Sequence, residues 1–99
     1  MSSTKIPTTF GPVKTSSTRP FLAVVKTERP ARIGTTSHPE GISIHARAET
    51  RKALETRLGR EGFRVEASTG LFRLFERSSI IEGVPTPGAL IATVEIVSV

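Results

Sequence analysis

Residues 21–25 read Phe-Leu-Ala-Val-Val, and this short apolar run constrains the fold more than any other segment. A β-rich, nearly continuous run of this kind fits a strand covered on both faces rather than a half-exposed one. One stretch, residues 47–61, has the spacing of an amphipathic helix. Ala46, Ala53, Leu54 and Leu58 line its apolar stripe, and Arg47, Arg51, Lys52, Glu55 and Arg60 cover the remainder. A single helix cannot cover such a sheet fully. Some apolar face must therefore meet the N-terminal segment, a loop or a second chain.

The remaining pattern is mostly strand. Ile42, Ser43, Ile44 and His45 alternate as a half-buried strand. Residues 63–67 and 71–76 read as two strands joined by Ser68, Thr69 and Gly70, with Gly70 at the left-handed position of a short hairpin loop. In the first of these Phe63, Val65 and Ala67 face inward; in the second, apolar residues fall on both faces. Residues 90–99 close the chain as a strand with Leu90, Ala92, Val94 and Ile96 inward and Thr93 and Glu95 outward. Residues 29–41 read as a loop, broken by Pro30, Gly34 and Pro39. Residues 78–88 read as a second loop, with Ile80, Ile81 and Val84 packed beneath it. Glu49 is placed in the first turn of the helix, and Gly62 just past its end. The expected fold is α+β: one helix packed on a four- to five-stranded, mostly antiparallel sheet, preceded by an extended N-terminal arm. The arm covers residues 1–19 and the domain residues 20–99.

The arm carries the excess charge. Lys5, Lys14, Arg19 and Lys26 precede the first acid, Glu28, whereas residues 41–99 hold eight Arg/Lys against seven Glu. Nine of the first 18 residues are Ser or Thr, and the apolar anchors Ile6, Phe10 and Val13 are separated by Pro7 and Pro12. Such a segment buries too little to offset its ordering entropy, so it is expected to be disordered in isolation and ordered in an assembly. It is Ser-rich and acid-poor like an organelle transit peptide, but Pro7, Pro12 and Pro20 break any continuous amphipathic helix. No apolar run approaches the roughly 20 residues that span a bilayer. A soluble intracellular or particle-associated protein is expected, with no membrane partner.

Catalytic chemistry is sparse. The chain has no Asp and no Cys, and its two histidines, His38 and His45, lie seven residues apart without a metal-ligand spacing. A His45–Glu49 pair is within geometric reach but reads as a local ion pair. No serine-nucleophile signature or phosphate-binding glycine loop occurs. Gly59, Gly62 and Gly70 each have a backbone explanation. The cationic helix residues Arg47, Arg51, Lys52 and Arg57 are interleaved with Glu49, Glu55 and Glu61, as on a solvated face. No enzyme activity, metal, cofactor or small-molecule substrate is expected.

A basic arm on a nearly neutral body suits attachment to a larger object. The leading expectation is a non-catalytic structural or assembly protein, docking on a virion or ribonucleoprotein type of complex or on further copies of itself. A small phage- or mobile-element-encoded inhibitor of a host nucleic-acid-processing complex is the alternative. Direct nucleic-acid binding through the arm is the third reading, since phosphate contacts need a basic strip. The partner-binding candidates are Lys5, Phe10, Lys14, Arg19, Lys26, Arg29, Arg32, Phe72 and Phe75.

Overall fold

The computed structural model describes residues 4–15 and 18–99. In chain order the elements are β1 (Thr4–Ile6), β2 (Val13–Thr15), β3 (Phe21–Thr27), β4 (Ala31–Ile33), β5 (Thr36–His38), β6 (Gly41–Ala48), α1 (Arg51–Arg60), β7 (Arg64–Val65), β8 (Phe72–Phe75), β9 (Ser79–Ile81), β10 (Val84–Thr86) and β11 (Leu90–Ser98). Five strands form an antiparallel sheet in the order β6-β3-β11-β8-β7, and the other six form three separate two-stranded hairpins.

The apolar run in β3 is the centre of the molecule. Leu22, Ala23, Val24 and Val25 are at most 1% exposed, so neither face of the strand meets water. Strand periodicity sends Ala23 and Val25 to one side and Leu22 and Val24 to the other. Ala23 and Val25 join Ala46, Ala48, Ala92, Val94 and Ile96 in a cluster with Leu54 and Leu58 of α1, Ile33 of β4, Phe63 and Phe72. Leu22 and Val24 are covered instead by Ile6, with Phe10, Val13, Ile44 and Val97 around it. The described part of the expected arm is thus a two-stranded hairpin whose apolar anchors lie on the sheet, not a single extended strand. Its loop is tied down where the backbone N–H and hydroxyl of Thr9 both donate to the Glu95 carboxylate. Residues 1–3 and 16–17, also part of that arm, lie outside the described residues.

The helix is shorter than its sequence pattern. Thr50 is the N-cap, its hydroxyl accepting from the Ala53 N–H at 3.2 Å, and Gly62 at φ +96° follows the C-cap Glu61. Residues 46–48 continue β6, because Ala46 and Ala48 pair with Ala23 and Phe21 across the ladder. Small apolar residues suit either element; here the strand wins. Glu49 therefore precedes the helix, Ala46 reaches the core from the sheet, and Ala53 is exposed.

Four other expectations are corrected. Residues 31–38 of the first loop form the β4–β5 hairpin, which inserts the buried Ile33 into the core. Val65 and Ala67 are exposed, because β7 is only two residues long at the sheet edge, where nothing lies over it. Thr93, expected outward, is buried, because it lies between Lys26 and Arg73 on the neighbouring strands and accepts from the Arg73 guanidinium at 3.4 Å. Ile80, Ile81 and Val84 are not packed under a loop. They lie on the β9–β10 hairpin and are 75%, 56% and 60% exposed. At the base of this hairpin the Glu76 N–H donates to the Ala89 carbonyl at 2.9 Å, and Gly88 approaches the Glu76 carbonyl so closely that a Cβ would collide with it. At its tip Glu82 (φ +51°) and Gly83 (φ +78°) make a two-residue turn with both residues left-handed.

Leu54, 1% exposed, faces the sheet, whereas Thr56 faces solvent. Leu54→Ala should destabilise the protein by about 2–5 kcal/mol, and Thr56→Ala by less than about 0.5 kcal/mol. Urea midpoints of the two variants check this; equal midpoints would contradict the helix register.

Candidate functional site

The residues expected to bind a partner are dispersed. Lys5 and Lys14 are brought together, directly opposite each other across β1–β2 on the side away from the sheet. Neither forms an ion pair among the described residues. Like charges in that position are unfavourable unless an anion lies between or beside them. Arg19 is instead held by Glu49 at 3.6 Å, and Arg29 pairs with Glu76 near the base of the β9–β10 hairpin. Lys26 and Arg32 are exposed on β3 and β4. Phe10 is half-buried against the sheet.

The two phenylalanines part company. Phe72 is 7% exposed, because it pairs with Val94 in the middle of the sheet and joins the cluster containing α1; it is no surface residue. Phe75 pairs with Leu90 at the strand end and is 54% exposed. It begins a segment in which Ile80, Ile81 and Val84 follow, all exposed. Scattered exposed apolar residues are ordinary; here three lie together on one hairpin.

A second feature was not legible in the sequence. Pairing in β6 passes from Ala46 opposite Ala23 to Ile44 opposite Val24, leaving His45 as the extra residue of a β-bulge. The bulge turns the His45 side chain inward. His45 Nε2 lies 2.7 Å from Glu61 Oε1, its Nδ1 lies 2.8 Å from His38 Nε2, and His38 Nδ1 lies 3.1 Å from Ser43 Oγ. These contacts link Ser43, His38, His45 and the Glu61 carboxylate in one continuous chain. Arg57 balances the carboxylate from one turn back, at 3.4 Å. Gly34, at φ +61° in the β4–β5 turn, lies against Glu61, where a Cβ would meet the carboxylate.

This chain of hydrogen bonds fastens the β4–β5 hairpin and β6 to the end of α1. His45 spends both ring nitrogens on neighbours, so the donors do not converge on a metal, and no metal-binding group of three is found among the described residues. The His45–Glu49 pair expected from sequence does not form, since Glu49 lies past the end of β6 and pairs with Arg19. The signal was the pair of histidines itself; the bulge that joins them depends on pairing with β3.

Two further surfaces complete the site. An open groove of about 430 Å³ runs between β2 and β6, lined by Pro12, Val13, Lys14, Ile42, Ser43 and Ile44. On the β7–β8 hairpin, Arg73 donates to Glu66 and, with the Ser68 hydroxyl, holds that carboxyl below its usual range.

Burial, then the neighbouring His45, lowers the pKa of His38 below its ordinary value of 6.5, against a smaller opposing pull from Glu61. His38 is thus neutral in the fold, whereas the unfolded chain takes up a proton near pH 6.5. Stability should be fully present above that pH and should fall as pH drops below it. In His38→Gln the decline between pH 7 and pH 5 should be shallower. Chemical denaturation of both proteins across that range provides the check.

No protein-family model matches this chain, and neither the curated proteins nor the solved structures give a match.

Proposed function

We propose that this protein is a non-catalytic docking component of a larger assembly, of virion or ribonucleoprotein type, and that it attaches through its β9–β10 hairpin. The observation carrying this reading is the exposure of Ile80, Ile81 and Val84 on a hairpin anchored at its base. A two-stranded hairpin is marginally stable alone, and burying those side chains against a partner would stabilise it.

Direct contact with nucleic acid is the second reading, favoured by the uncompensated Lys5–Lys14 pair. If Lys5, Lys14, Arg19 and Lys26 all engage duplex phosphates, affinity should fall with salt at a log–log slope of about −3 to −4. Docking on protein instead predicts no measurable binding to free DNA or RNA at physiological salt. The proposal itself is tested by gradient sedimentation of the tagged full chain from extracts of its source. It should migrate with a large complex, and Ile80→Ser/Ile81→Ser should move it to the free pool. A wild-type chain found only free would overturn the reading.

A further inference from the structure

The β9–β10 hairpin presents apolar side chains to solvent, and the groove beside β6 presents apolar side chains without a cover. Among the described residues β6 is the terminal strand of the sheet and pairs only with β3, so there its other edge offers backbone donors and acceptors. The bulge at His45 limits the regular stretch of that edge to Ile42, Ser43 and Ile44. With Gly41, which pairs in the same register, that stretch is four residues long, enough to receive the three residues of β9 or β10. At about 3.4 Å per residue, a hairpin strand spans roughly 10 Å and fits within that edge.

The side chains match as well. Pro12, Val13, Ile42 and Ile44 make the groove apolar, and Lys14 lines it, with Lys5 opposite Lys14 across β1–β2. The hairpin carries Ile80, Ile81 and Val84 and ends in Glu82. Glu82 is the only non-glycine residue with positive φ among the described residues, in a position where Asn or Gly is easier. A strained residue at an exposed tip points to a use for its side chain. Its carboxylate has no ion-pair partner among the described residues, and neither has Lys5 or Lys14.

We infer that the β9–β10 hairpin of one copy docks in the β2–β6 groove of a second copy, adding a strand to the β6 edge and placing Glu82 beside Lys14 and Lys5. This deepens the proposed function by naming a second copy of the chain as a partner, and it rests on that reading of the hairpin. Strand addition supplies affinity through main-chain hydrogen bonds and specificity through alternate side chains. One such contact is smaller than the roughly 800 Å² per partner of a standard interface, so self-association is expected at high micromolar concentration.

Sedimentation equilibrium of the purified full chain, from about 10 μM to 1 mM, tests this. The wild type should associate with rising concentration. Ile81→Lys removes the donor and Ile42→Lys the acceptor; both positions are exposed, so both variants should keep the helical circular dichroism and the melting transition of the wild type. Each variant alone should be monomeric, while an equimolar mixture should form a 1:1 complex from the one intact hairpin and the one intact groove. Lys14→Glu should weaken association about tenfold or more, and Glu82→Lys in the same chain should restore it. A wild type monomeric at every concentration, or folded variants that associate as the wild type does, would overturn the inference. A wild type that still sediments with a large complex in extracts, yet does not self-associate when pure, would sink this inference alone.

Discussion

Everything in this structure depends on keeping β3 dry on both sides. Leu22, Ala23, Val24 and Val25 have almost no exposure, and no single element reaches both faces of the strand. The helix serves one face and the N-terminal hairpin the other. Two small cores result, separated by one sheet. The division explains why a segment rich in Ser, Thr and Pro is structured over its described residues: Ile6, Phe10 and Val13 meet a surface that would otherwise face water. Their spacing around Pro7 and Pro12 fits strands and a turn, where proline is tolerated.

The same constraint decides what the sequence discloses. The doubly covered strand, the mostly antiparallel sheet with one helix, Leu54 and Leu58 on the buried stripe, and Gly62 after the helix were all legible from periodicity and turn chemistry. Features decided by pairing partners were not. Ala46 and Ala48 fit a helix or a strand equally, and only the ladder with β3 assigns them. Phe72 and Phe75 look equivalent in isolation; one meets Val94 in mid-sheet and the other Leu90 at its end. Ile80, Ile81 and Val84 resemble core residues, and no local signal reveals that the hairpin bearing them projects. Of the partner-binding candidates, Phe75 and the cationic residues lie at the surface, while Phe72 does not.

The buried histidines show how a polar group is accommodated in so small a body. Neither ring is left without a partner, because Ser43, His38, His45 and Glu61 follow one another within hydrogen-bond distance. A chain of this kind joins parts of the molecule that apolar contacts connect only weakly. It secures the β4–β5 hairpin, whose one large apolar contribution is Ile33. The arrangement contrasts with the β9–β10 hairpin, clamped at its base by Gly88 and Glu76 but free along its length.

The pairing of β3 with β11 also sets an order of events during synthesis. Leu22 is matched with Val97, and Thr9 reaches Glu95 across a separation of 86 residues. A ribosome therefore delivers the most apolar strand of the protein long before the neighbour that completes it. Through that interval β3 can acquire β6 but not β11, and the N-terminal hairpin lacks Val97 and Glu95 beneath it. Non-local pairing of this kind slows folding, and transiently open strand edges invite aggregation. The nascent chain is therefore most exposed to mispairing while residues 90–98 are still missing and its central strand has an empty side.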